Sequence, residues 1–166
     1  MKQIVGVADM KVSNKTEESI VTYSLGSCIG LVIYDPVVKV GGILHYMLPE
    51  SSIDTEKAAA RPYMFADSGI PRLFKTAYAL GAVKQRMMIY VAGGAEILDQ
   101  GGFFNIGKRN YMALKKLFFK NNVIIHKQDV GGNTNRTVRL EIATGEIYVK
   151  TSGAKEVKIC HPFDCL

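Results

Sequence analysis

Three cysteines occur in this chain, Cys28, Cys160 and Cys165, and only Cys28 lies well inside it, in the segment SLGSCIG at 24–30. An odd count argues against a disulfide framework and for a reducing compartment. A free thiol is a poor nucleophile at neutral pH, but an imidazole that takes its proton leaves an activated thiolate. Such an imidazole stands downstream, at His45 in GGILHYMLP. Gly26 and Gly30 flank the cysteine; small residues there let a substrate backbone come close and permit unusual dihedrals. With Ser27, they are the candidate substrate- or partner-binding positions around the thiol. The backbone at Ser27 and Cys28 is the candidate donor for an oxyanion.

Register brings the two residues together. The sequence Asp35-Pro36-Val37-Val38 reads as a turn between two strands. If Tyr34 pairs with Lys39 across it, Cys28 falls opposite His45, with Cβ atoms about 4.5–5.5 Å apart on one face. A slip of one residue would send them to opposite faces. Two readings stand at this point: a nucleophile with its base, or a buried cysteine and histidine with structural roles. A histidine base needs a third group to hold its ring. Thr22, on the strand before Cys28, is the candidate, with an ordinary β-branched strand residue as the other reading.

The elements that must position these residues are strands first and helices later. Segments 4–7, 20–24, 27–34 and 40–48 are rich in Val, Ile, Leu and Tyr, and turn residues separate them. Residues 49–62 are polar and read as a surface loop. Apolar Ile70, Leu73, Phe74, Ala77 and Leu80 recur at helical spacing, which predicts a helix over 67–80 ended by Gly81. Pro71 falls near its start, where a missing N–H is tolerated. A second helix is expected over 106–119, capped by Asn105. Strands are expected at 87–91, 123–128, 137–142 and 146–151, the last two as a hairpin over Ala143-Thr144-Gly145. The class is α/β: a layered sandwich of mixed, largely antiparallel sheets with helices. Strands apolar on both faces imply sheets covered on both sides. One domain over 1–159 with a tail over 160–166 accounts for the length.

Composition narrows the function. The formal charge of +6 implies acidic partners. The basic residues are dispersed and no aromatic stacking pattern runs among them, so nucleic acid is not the expected partner. No apolar run approaches the roughly 20 residues that span a bilayer. Asp9 and Lys11 interrupt the N-terminal stretch where a signal peptide would be apolar, so a cytoplasmic protein without membrane insertion is expected. Residues 102–109 nearly spell a phosphate-binding loop, but Arg109 replaces its magnesium-binding Ser/Thr. Phe103 and Phe104 in that Gly-rich loop are either offered to a partner or buried beneath the loop. Cys160, His161 and Cys165 match no closed metal site. No metal or cofactor is expected.

Six stretches together carry a resemblance: GSCIG at 26–30, HYMLP at 45–49, FADSGIP at 65–71, AGGAE at 92–96, NIGKRN at 105–110 and GGNTNR at 131–136. In this order the chain resembles the CheD family of chemoreceptor glutamine deamidases over about residues 3–159. The resemblance implies a triad of Cys28 as nucleophile, His45 as base and Thr22 as the residue holding the histidine. It also implies a layered fold like that of cysteine-dependent toxin deamidases. The implied substrates are glutamine side chains of methyl-accepting chemotaxis receptors, deamidated to glutamate with release of ammonia. The implied partner is a CheC-type phosphatase; by itself the chain is expected to be a monomer. A noncatalytic adaptor that regulates that phosphatase is the alternative. The chain departs from the family pattern at Glu96-Ile97, at Asn135 and in the tail from Cys160 onward.

Overall fold

The computed structural model describes residues 1–97 and 105–164, without the side chains of Cys160 and Phe163. Ten strands form two five-stranded sheets. In the first, β1 (Lys2–Val5), β3 (Ser19–Leu25), β8 (Arg136–Glu141), β9 (Ile147–Thr151) and β10 (Val157–Cys160) are neighbours in that order. In the second the order is β2 (Asp9–Ser13), β5 (Val40–Tyr46), β4 (Ile29–Asp35), β6 (Met88–Gly93) and β7 (Lys127–Val130). Two of the eight pairings, β1 with β3 and β6 with β7, are parallel. The sheets are therefore mixed and largely antiparallel.

Side-chain alternation along the strands builds three layers. On β4, Ile29, Leu31 and Ile33 face one way and join Leu44, Tyr46, Ile89 and Val91 under two helices. These are α2 (Ala66–Ala79), through Ile70, Leu73, Phe74 and Ala77, and α3 (Ile106–Lys120), through Leu114 and Phe118. Val32, Tyr34, Ile43, Met88, Tyr90 and Ala92 face the other way, onto Ile20, Leu25, Val138, Leu140, Ile147 and Val149 of the first sheet. The central strands of the second sheet are thus covered on both faces, as their unbroken apolar runs require. The outer face of the first sheet is different: β8 alternates buried and half-buried residues, and no described helix covers it.

Several local expectations change. The polar stretch 49–62 contains a short helix, α1 (Thr55–Ala60), capped by the Asp54 carboxylate accepting from the Lys57 N–H at 3.0 Å. Strands β2 and β10 have no counterpart in the reading above. Pro71 lies in the second turn of α2, because the helix starts at Ala66. The lost i−4 bond is that of Asp67, an exposed residue whose carbonyl water can serve. Asn105 precedes α3 in the left-handed conformation (φ 44°), and its side chain makes no capping bond. Beyond β10, Pro162 is buried and packs where Gly145 and Tyr34 meet.

Candidate active site

The cysteine sits where β3 hands over to β4. Ser24 adopts the left-handed conformation (φ 56°), and the β3–β8 register shifts between Thr22 and Leu25. Three successive carbonyls of the connecting segment are then tied down. Gly26 O accepts from Ala95 N and Cys28 O from Gly94 N, each at 2.9 Å. Ser27 O accepts from the Asn110 side-chain amide, also at 2.9 Å. Gly93, at φ 106°, makes the turn beside them, and a Cβ there would lie 2.1 Å from the Cys28 carbonyl oxygen. The nucleophile candidate is thus mounted on backbone that has little freedom to move.

The β4–β5 register differs from the expected one. Asp35 pairs with Val40 and Gly30 with His45. The turn uses Pro36 to Lys39, with Lys39 left-handed (φ 53°) and the Asp35 carboxylate accepting from the Val37 N–H at 2.9 Å. Lys39 therefore belongs to the turn and cannot pair with Tyr34. The shift amounts to two residues along the partner strand, and an even shift keeps the face. Cys28 and His45 share the face that looks toward the first sheet, as diagonal rather than direct neighbours, with the side-chain-less Gly30 between them. The space above Gly30 is filled by Leu25, 2.7 Å from a notional Cβ, and that above Gly26 by Asn135 and Ile97. Both glycines thus serve close packing of this protein's own chain.

Across the gap between sheets, Thr22 of β3 meets His45 of β5. Its Oγ1 lies 2.8 Å from His45 Nδ1 and 2.9 Å from the Val5 carbonyl oxygen. A hydroxyl has one proton, and a carbonyl can only accept. The Thr22 proton therefore goes to Val5 O, and His45 Nδ1 carries the proton it donates to Thr22 Oγ1. That tautomer leaves Nε2 as an unprotonated acceptor. Nε2 is buried and has no hydrogen-bond partner among the described residues.

Burial dominates the electrostatics. It pushes the His45 imidazole down to about 4 and the Cys28 thiol up to about 11. At neutral pH the resting pair is a neutral thiol and a neutral imidazole rather than an ion pair. The Cys28 backbone amide lies against its own sulfur and partly offsets the burial. With both groups neutral at rest, activation of the thiol by the imidazole requires proton transfer during attack rather than before it.

Two residues of this region escaped the sequence reading. Asn110, fully buried on α3, bridges Ser27 O and Met47 O. Arg136, also buried, donates to Gly131 O at 2.9 Å and Gly93 O at 3.3 Å and pairs with Asp129 at 3.0 Å, bracing the turns beside Cys28. Both lie in stretches quoted above for their resemblance, NIGKRN and GGNTNR, but no periodicity marks either as a brace. Phe103 and Phe104 lie outside the described residues. His126 has a structural part: its Nδ1 accepts the Ile89 N–H at 3.0 Å.

Comparison with known proteins places this chain in a family. Residues 47–151 match the family described as CheD chemotactic sensory transduction. The chain is 59% identical over 150 residues to the probable chemoreceptor glutamine deamidase CheD 1 of Syntrophus aciditrophicus (strain SB), covering 90% of this chain and 94% of that protein. It is 48% identical over 153 residues to the probable chemoreceptor glutamine deamidase CheD of Solibacter usitatus (strain Ellin6076), covering 92% and 90%. Against the probable chemoreceptor glutamine deamidase CheD 2 of Anaeromyxobacter dehalogenans (strain 2CP-C) it is 43% identical over 147 residues, covering 89% and 92%. The chain belongs to the CheD family of chemotactic sensory transduction proteins.

Proposed function

We propose that this protein is a chemoreceptor glutamine deamidase, a cysteine-dependent amidohydrolase acting on methyl-accepting chemotaxis receptors. Cys28 is the nucleophile, His45 the general base and acid, and Thr22 the positioning residue for the imidazole. The observation that carries the reading is the hydrogen-bond chain from His45 Nδ1 through Thr22 Oγ1 to Val5 O, which leaves Nε2 as the free base. The family relatives supply the substrate class.

Cys28 Sγ attacks the side-chain amide carbon of a receptor glutamine as its proton passes to His45 Nε2. The carbon–oxygen double bond opens to an oxyanion facing the backbone N–H groups of the Ser27–Cys28 segment. Nε2 returns the proton to the amide nitrogen, the C–N bond breaks, and ammonia leaves a thioester. Nε2 then takes a proton from water, hydroxide adds to the thioester, and the C–S bond breaks. Glutamate is released and the thiol regains its proton.

A glutamine on a receptor helix reaches the thiol only if the site is open. Cys28 is half-buried, at the end of the sheets. In this reading Phe103 and Phe104, which lie outside the described residues, are contact residues for receptor or a CheC-type phosphatase. The positive charge favours acidic partners. The protein works as a cytoplasmic monomer, and residues 1–159 form the catalytic unit. No described helix is long and apolar enough to cross a membrane. The test is incubation with receptor cytoplasmic fragments and mapping of glutamine-to-glutamate conversion by mass spectrometry.

A further inference from the structure

Backbone pairing between β4 and β5 ends at Ile29 and Tyr46. Beyond that pair the two chains part, one leading to Cys28 and Ser27, the other to Met47. His45 lies just inside the last pair. The next rung of the ladder is made by a side chain. Asn110, in the second turn of α3, donates from Nδ2 to Ser27 O at 2.9 Å and to Met47 O at 2.7 Å. The Tyr46 hydroxyl in turn donates to the Asn110 backbone carbonyl at 2.7 Å, fixing the helix to the last paired residue. Asn110 is fully buried, and its Oδ1 has no partner among the described residues. A buried acceptor left unpaired is a cost that folds tolerate where a specific arrangement matters. Only a primary amide offers two N–H donors on one uncharged atom, the chemistry that two converging carbonyls require.

We propose that Asn110 is a positioning residue for the thiol–imidazole pair: its amide closes the fork between the Cys28 segment and the end of β5, and so fixes the sulfur relative to His45 Nε2. The proposal rests on the reading of Cys28 and His45 as a working pair. Opening the fork shifts the sulfur and the ring apart without removing either. Misplacements on the order of 1 Å cost up to about a hundredfold in rate.

The test has two arms. In the first, Asn110→Ser, verified as folded by circular dichroism, lowers kcat for receptor-fragment deamidation at least about tenfold and leaves KM within about twofold. The second needs no receptor, so it stands even if the deamidase reading fails. Iodoacetamide labelling of Cys28 is followed by peptide mapping, with His45 intact and with His45→Ala. The ratio of the two rates measures how far the imidazole assists the thiol, whatever the exposure of the site. Asn110→Ser collapses that ratio toward one. A folded Asn110→Ser with the wild-type ratio overturns the proposal, whatever happens to deamidation. If Asn110→Ser does not fold, Tyr46→Phe loosens the same helix from β5 by removing one hydroxyl. It lowers the ratio about threefold, and an unchanged ratio in Tyr46→Phe overturns the proposal equally.

Discussion

Burial without a counter-charge holds the His45 imidazole at about 4, well below the usual histidine value. Its unfolded value is about 6.5, so between these limits the unfolded chain binds a proton that the native protein excludes. The stability contributed by neutral His45 is present in full above pH about 6.5 and is lost as pH falls through about 4. The His45 imidazole also stays unprotonated in the native protein down to the same limit. The expected profile of kcat/KM is therefore flat from neutral pH to about 5, with Tm declining over that range; an acid limb centred near 6.5 contradicts the assignment. Thr22→Val keeps the shape of residue 22 but strips His45 Nδ1–H and Val5 O of their partner. It lowers kcat about tenfold, since orientation contributes less than proton transfer itself, and costs about 1–3 kcal/mol of stability in urea unfolding. Wild-type kcat in this variant shows that the hydroxyl does not position the ring. The shared face of Cys28 and His45 was legible because strand parity survives an error in register of two; the meeting of Thr22 with His45 runs between the sheets, where no strand pattern carries it, and only the family resemblance pointed to it. Asn110 was not legible, because a bridge from a helix to two backbone carbonyls depends on where backbone ladders end.

At the scale of elements, the turn 93–95 and the start of α3 press on the cysteine segment. A Cβ on Gly107 would lie 2.5 Å from Gly94 O and 2.6 Å from Ala95 O, so α3 approaches the turn as closely as backbone allows. Gly93→Ala places a methyl against the Cys28 carbonyl at a dihedral that L-residues rarely adopt. The expected result is a loss of about 2–3 kcal/mol in stability and of most activity even in the folded fraction, read by denaturant titration beside single-turnover kinetics. Normal turnover in a folded Gly93→Ala protein excludes the turn as a mount for the thiol. The helices and central strands were readable because their apolar periods are strong. Strand β2 was missed because DMKVS lacks a run of apolar residues, and its residues are mostly half-buried at a sheet edge. Helix α1 was missed because six residues capped by Asp54 bury nothing, which leaves no apolar period to find.

Taken as one body, the molecule holds Cys28 and His45 at one end of the second sheet and the packing of Pro162 at the other. Tyr34, against which Pro162 and Gly145 pack, stands six residues along β4 from Cys28, roughly 20 Å away. Truncation after Ile159 removes Pro162 from that contact. It is expected to lower Tm by about 2–4 °C and leave kcat unchanged, and a loss of turnover in the folded truncation links the two ends. The pairing of two sheets face to face, with helices on one side only, was not written in local patterns; it follows from which faces of β8 and β9 alternate, and that depends on long-range pairing. The central claim concerns Cys28 and an amide. Receptor cytoplasmic fragments are incubated with wild-type protein and with folded Cys28→Ala, and each glutamine is then followed by peptide mass spectrometry. The prediction is conversion of particular glutamines to glutamate by the wild type and none by Cys28→Ala; equal conversion by both, or intact glutamines with the wild type across the receptors of its own cell, contradicts it.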